Sequence, residues 1–247
     1  SLHDALPISS TWRAPTDNDY GAHMQQDFAV WKRPQWKLIS LTASDTTLTA
    51  EYSYKSNKGS ATLQMKYHIL PDGALQICEN LYKPGLPNLL RFGMQVSLHA
   101  QLNLLEYYGR GPEENYCDRH FSSFIGLYQQ TVQEQYYPYV RPQETGNHTD
   151  MRYLKLTDNA DCGIIVTSPT PFSASALNRT MQSLDDGMIK DAHQSHGNIV
   201  PVSNSTELHI DACQQGLGCI NSWGAYPIEK YMLNSDTYNF IFTIHPN

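Results

Sequence analysis

The amino-acid sequence predicts an all-β domain of antiparallel strands. Apolar and polar residues alternate along most of the chain, which is the pattern of half-buried strands. Tight turns separate these segments, and helical periodicity is scarce. The segments number roughly a dozen, which is too many for one flat sheet, so we expect two packed antiparallel sheets.

The clearest segments predict a three-stranded meander over residues 47–82. Thr47–Ser56 and Ala61–Leu70 both alternate with a period of two. Pro71-Asp72-Gly73 marks a tight turn after the second segment, and ALQICENLY follows as the third strand.

The remaining chain continues this pattern. Further strands are predicted in LLRFGMQVSL, NLLEYYG, CGIIVTSP, TELHIDACQ and YNFIFTIHP. Phe121–Val132 fits a helix and a strand comparably well, and its β-branched end favours a strand. Gln25–Arg33 is expected to be a short helix or an irregular loop.

Composition excludes two classes of function. A net charge of −7 without a basic stripe argues against a nucleic-acid surface. No apolar run approaches the ~18 residues of a membrane span, and Ser1–Ile8 lacks the features of a signal peptide. Nothing therefore marks export, which favours the cytoplasm and leaves a periplasmic location open.

The 5 cysteines form no C-x-x-C pair and predict no disulfide framework.

No motif on its own predicts a metal or catalytic site. His193 and His196 form H-x-x-H near Asp191, but zinc needs three or four convergent ligands, and strand residues three apart face opposite ways. We therefore expect no metal in this chain. The carboxylates of Glu113-Glu114 and Glu144 are more typical of turns and hydrogen-bonded corners than of a catalytic pair, so we assign no catalytic residue.

The late loop, Gly216–Pro227, is the segment whose composition best suits a ligand. Its sequence GLGCINSWGAYP predicts irregular backbone with Trp223 in the middle. Such a tryptophan either fills a gap in the core or offers its flat face to a sugar ring, whose hydroxyls neighbouring polar groups would bind. Both interpretations remain open on these residues alone.

Four stretches taken together resemble one known family. WRAPTDND followed by Gly21, YYGRGPEENYCDR, YYPYVRPQETGN and GLGCINSWG stand in the order found in LacZ-type β-galactosidases of glycoside hydrolase family 2. The resemblance covers residues 12–247 and is to the C-terminal domain, also called domain 5 or the small-chain region. It implies an antiparallel β-supersandwich of the galactose-mutarotase-like class.

The resemblance also implies a division of labour. In the family, both catalytic glutamates and a Mg²⁺ site belong to a TIM barrel that precedes this domain. The chain is therefore expected to be inactive alone. Its expected role is to complete a pocket for terminal β-D-galactosides such as lactose, with the barrel joined in cis or supplied in trans by a large subunit. The full enzyme is expected to be a homo-oligomer.

Particular residues carry the family's pocket motifs. The expected substrate-binding residues lie in the late loop and are Trp223, Asn221 and Ser222. The expected anchor and hinge of a mobile lid lie near the N-terminus and are Arg13, Asp17, Asn18, Asp19 and Gly21. The lid would extend to about Phe28, with Arg13 paired to one aspartate and Trp12 pinning the segment to the sandwich.

Two rival functions share the implied fold. An aldose 1-epimerase would need a glutamate base and a histidine acid, for which Glu144 with His148 or His193 is the available pairing. A freestanding carbohydrate-binding module would need only the aromatic loop. Residues 1–11 match nothing expected before WRAP, which predicts a truncated or artefactual N-terminus.

Overall fold

The alternating segments form antiparallel strands in the computed structural model, which describes residues 7–190, 196–218, 220–221 and 224–247. The described strands are β1 Ile8–Ser10, β2 Lys37–Ala43, β3 Thr47–Ser56, β4 Gly59–Ile69, β5 Leu75–Tyr82, β6 Arg91–His99, β7 Leu104–Gly111, β8 Phe124–Thr131, β9 His148–Thr157, β10 Gly163–Leu177, β11 Ser205–Gln214 and β12 Thr237–Pro246. The predicted meander is confirmed as β3–β5, and the ambiguous Phe121–Val132 segment contains strand β8.

Helices are short and lie in the connections. They are α1 Asp17–Gly21, α2 Met24–Asp27 and α3 Met181–Leu184, with 3₁₀ turns at Ala29–Trp31, Gly197–Ile199 and Glu229–Tyr231. The expectation of a short helix or irregular loop in Gln25–Arg33 is confirmed, since α2 and a 3₁₀ turn share that stretch. No described helix is long and apolar enough to cross a membrane.

One long strand joins two arms of the sheet. The strand order is β1-β6-β11-β10-β12-β5-β4-β3-β2, and β9, β7 and β8 continue from the other edge of β10. The first part of β10 pairs with β12 and its last part with β11, while its register against β9 shifts between Thr167 and Ala174. Such irregularities bend a strand, so β10 passes from one layer to the other.

The two arms enclose a common core. Buried side chains of one arm, such as Ile77 and Phe242, belong to the same cluster as Met94 and Ile210 of the other. The arms therefore share one core, which confirms the predicted antiparallel sandwich. The expectation of two separate sheets was wrong, because β10 pairs with strands of both arms and makes them one continuous sheet. Trp12 and further apolar residues up to Trp31 join this cluster, so the segment that follows β1 packs its apolar side against the sandwich.

Candidate functional site

Arg13 and Asp19 form a buried ion pair at the start of α1. The guanidinium donates to both carboxylate oxygens, from Nε at 3.0 Å and from Nη2 at 2.7 Å. Both side chains are essentially inaccessible to solvent. Asp19 also completes a capping box, because it accepts the backbone N–H of Thr16 while Thr16 accepts that of Asp19. The expected pairing of Arg13 with an aspartate is thereby confirmed.

The same arginine ties the N-terminal segment to the late loop. Its remaining N–H groups donate to the backbone carbonyls of Gln215 and Gly216, the second at 3.1 Å. Asn18 adds a bond from its side-chain amide to the carbonyl of Leu217 at 3.0 Å. Two of the predicted anchor residues therefore hold the backbone at the point where the chain leaves β11.

A residue of the YCDR stretch holds the same backbone from another side. The Asp118 carboxylate accepts the backbone N–H of Leu217 at 3.1 Å and that of Gly218 at 2.7 Å. Just before it, the Cys117 thiol donates to the carbonyl of Gln214 at 3.3 Å. The sequence placed Asp118 inside a recognisable motif, but nothing in its spacing indicated this role.

The far end of the late loop contacts residues 21–28. Gly224 has a φ of 95°, and a Cβ on it would lie 2.6 Å from the carbonyl oxygen of Gly21. Tyr226 donates from its hydroxyl to Asp27 Oδ2 at 2.6 Å and stacks on Phe28 with ring centroids 5.9 Å apart. Burial, followed by the bond to Asp27, raises the pKa of Tyr226 to about 12, so the phenol stays a donor at neutral pH.

Residues of the YYPYVRPQETGN stretch also contact the N-terminal segment. Arg141 binds Asp17 at 2.9 Å and Asp186 at 3.0 Å, and the backbone N–H of Glu144 donates to the carbonyl of Ala14 at 3.1 Å. Glu114 accepts the backbone N–H of Gly146 at 2.7 Å. The four motifs are far apart in sequence, yet the fold brings them together around the segment 13–28 and the late loop.

The expected sugar contacts are only partly described. Trp223 and Ser222 lie outside the described residues, whereas Asn221 is exposed on the late loop. Gly21 is the exposed last residue of α1, and Asp17 is its exposed first residue. The roles of the late loop in substrate binding and of Gly21 as a hinge therefore stay predictions. The described neighbours of these residues define where in the fold such a site would lie.

Glu144 lies deeper, in a second buried charge network. Arg91 binds Glu144 at 2.6 Å and Asp211 at 2.9 Å, and all three side chains are buried. Burial raises the pKa of Asp211 to about 7, and Arg91 offsets this only in part. Gln214 links the network to Arg13, since its amide group lies 3.4 Å from both Glu144 Oε1 and Arg13 Nη1. The carboxylate of Glu144 is thus held by an arginine.

The histidine of the epimerase pairing lies elsewhere. His148 Nδ1 is 3.1 Å from the Tyr107 hydroxyl and 3.0 Å from the Arg110 carbonyl, and burial lowers the pKa of His148 to about 4. No hydrogen bond joins it to Glu144 within the described part of the chain, and His193 is outside that part. Among the described residues, no group of three or more His, Cys, Asp or Glu side chains could hold a metal ion.

Comparisons with known proteins point in one direction. The family model described as "Beta galactosidase small chain" matches residues 2–244. β-Galactosidases of Priestia megaterium and Streptococcus thermophilus are 28% and 29% identical over 95% and 97% of this chain, which spans only 23% and 24% of their lengths. That of Actinobacillus pleuropneumoniae is 30% identical over 94% of the chain and 23% of its own length.

Solved structures with some likeness are sugar epimerases and their relatives. The GalM/aldose epimerase homologue of C. elegans gives a TM-score of 0.46 at 11% identity, covering 86% of this chain and 68% of that one. A galactose mutarotase-like protein of Lactobacillus casei gives 0.44 at 11% identity, covering 86% and 73%. The family match spans nearly the whole chain, and the chain therefore belongs to the β-galactosidase small-chain family.

Proposed function

We propose that this chain is the C-terminal domain of a retaining β-galactosidase of glycoside hydrolase family 2, and that it completes the galactoside pocket of a TIM-barrel catalytic domain. The observation that carries this proposal is the joining of the segment 13–28 to the late loop. Arg13 and Asn18 bind one end of that loop, and Asp27 binds the other. The segment proposed as a lid and the loop proposed to contact sugar are thus one assembly.

The chemistry of hydrolysis is assigned to the barrel. A retaining glycosidase needs two carboxyl groups about 5–5.5 Å apart that are free to act as nucleophile and acid. Asp19 is paired with the buried Arg13, while Glu144 and Asp211 share the buried Arg91. An arginine bound directly to a buried carboxylate supports a structural role for that carboxylate. The Mg²⁺ of the proposed enzyme belongs to the barrel, where it would act as a Lewis acid and template.

This chain's own part is to bind and orient the sugar. Trp223 would cover the apolar face of the galactose ring, and Asn221 and Ser222 would bind its hydroxyls. Closure of the segment after Gly21 would exclude water from the barrel's carboxylates. The relatives named above are called β-galactosidases, and each is about four times as long as this chain. This supports placing the chain beside a larger catalytic part.

Reconstitution tests the proposal. A β-galactosidase catalytic portion lacking this domain would be assayed with the chain supplied separately and, in parallel, fused to it. We expect neither part to hydrolyse a nitrophenyl β-galactoside alone and at least one combination to do so. Activity on mixing would identify a separate small subunit, and activity only in the fusion would identify a domain. A folded chain that gives no gain in either form would contradict the proposal.

A further inference from the structure

The backbone of Gln215–Gly218, here called the stem of the late loop, lies beyond the named strands. Its first two N–H groups donate to the backbone carbonyls of Leu90 and Tyr231, and side chains bind the rest of it. The ladder between β11 and β6 ends at Gln214. Beyond it, Arg13 and Asn18 bind the carbonyls of the stem. Asp118 is the residue that binds its N–H groups at two consecutive positions. A carboxylate suits this task because its two oxygens can each accept a bond, and charged acceptors bind more strongly than neutral ones.

The stem also has a shape that fits this carboxylate. A Cβ on Gly216 would lie 2.6 Å from Asp118 Oδ2, and one on Gly218 would lie 3.2 Å from it. The two glycines therefore let the carboxylate approach the backbone closely. An alanine at position 118 would remove the carboxylate from both N–H groups, and an asparagine would supply only one acceptor oxygen.

We propose that Asp118 is a positioning residue, which sets the direction in which the late loop leaves β11 and thereby the affinity for the galactoside. This inference rests on the proposed function, because the loop matters to catalysis only if it contacts the sugar. Asp118 itself is assigned no contact with substrate. Its effect is transmitted through the backbone of Leu217 and Gly218.

The first test needs no activity. Amide hydrogen exchange would be measured on the full chain for wild type, Asp118→Ala and the matched control Asp45→Ala, which removes an exposed aspartate of the turn between β2 and β3. We expect exchange at Leu217 and Gly218 to accelerate about tenfold or more in Asp118→Ala alone, with Ile210 of β11 unchanged. Unchanged exchange at both stem amides would overturn the proposal. If Asp118→Ala does not fold, Asp118→Asn takes its place under the same criterion.

The second test separates positioning from stability. In the reconstituted enzyme we expect Asp118→Ala to raise KM for a nitrophenyl β-galactoside about tenfold and to leave kcat within about twofold, since the loop is proposed to bind the sugar and not to do chemistry. Loss of kcat with KM unchanged would overturn the positioning role. Trp223→Ala assayed beside it distinguishes the two failures. If Trp223→Ala leaves kcat/KM unchanged, the proposed function fails. If it lowers kcat/KM while Asp118→Ala retains the wild-type KM, only the positioning role fails.

Discussion

At the scale of single residues, the sandwich interior contains more ionisable groups than an apolar core usually holds. Arg13 and Arg91 are buried with carboxylate partners, and Glu79 is buried on the inner face of β5. Burying a charge is costly unless it is paired, and removing one partner leaves the other uncompensated. These groups are therefore the positions where single substitutions should have the largest effects.

The pair at the lid anchor provides the first prediction. Arg13→Ala should lower the free energy of unfolding by about 3–5 kcal/mol, because Asp19 would stay buried without its cation. Urea denaturation at neutral pH measures this. Lys155→Ala, which breaks the ion pair of Lys155 with the exposed Asp161, is the control and should cost about 0–1 kcal/mol. An equal decrease in the free energy of unfolding of the two variants would show that the buried pair contributes no more to stability than an exposed pair.

Glu79 provides a prediction about pH. Burial raises the pKa of Glu79 from its ordinary 4.5 to about 8. The folded chain therefore retains a proton that the unfolded chain releases. The stability from this group is intact below about pH 4.5 and is lost as the pH rises towards 8.

Glu79→Gln should remove that loss. The stability of the variant relative to wild type is expected to rise by about 3–4 kcal/mol between pH 5 and pH 8, measured by urea denaturation across the range. Asp211, whose pKa is raised in the same direction, is present in both proteins, and its charge is itself one of the causes that raise the pKa of Glu79. Glu229→Gln serves as the control for removing an exposed carboxylate. A difference that does not vary with pH would refute the account of Glu79.

At the scale of elements, the late loop and the segment 13–28 are held together at both ends. The loop begins at the Arg13 and Asn18 contacts and ends where Tyr226 binds Asp27. Between these points, Gly224 lies against Gly21. Movement of the segment should therefore move the loop, because each end of the loop is bound to it.

Gly224 tests that contact against a glycine of similar conformation. Gly224→Ala and Gly73→Ala both place a Cβ at positive φ, at 95° and 86°, which costs about 1–2 kcal/mol of strain. Only at Gly224 would the new atom collide with backbone, 2.6 Å from the Gly21 oxygen, whereas nothing lies within 4 Å at Gly73. We expect Gly224→Ala alone to lower kcat/KM of the reconstituted enzyme, by about tenfold or more. Similar activity in the two variants would contradict a coupled lid and loop.

The elements differ in how far the sequence could predict them. The alternation of apolar and polar residues predicted β3–β5 because one face of each strand is more buried and the other faces solvent. It could not separate the faces of β11, where Glu207, His209 and Asp211 are buried as well as Leu208 and Ile210. The buried Glu79 stands in register with Ile77 and Leu81, so a break in the apolar face was the available signal.

At the scale of the whole molecule, the contacts between the four motifs become apparent only in the folded chain. The sequence predicted the fold and a pairing of Arg13 with one aspartate, which the structure identifies as Asp19. It could not show that Asp118 binds the same stretch of backbone that Arg13 binds. That contact joins residues about a hundred positions apart in the sequence. A local pattern of apolar and polar residues carries no information about contacts at such a separation. The bent β10, which directs β11 and β12 into different layers, is equally non-local.

The claim that this assembly faces a galactoside is tested most directly by substituting the loop's tryptophan. In the reconstituted enzyme, Trp223→Ala should lower kcat/KM for a nitrophenyl β-galactoside by about tenfold or more, since stacking on the ring is lost. Trp36→Ala, which removes a half-buried tryptophan near β2, is the matched control and should leave kcat/KM within about twofold. Wild-type kcat/KM in a folded Trp223→Ala variant would contradict the account.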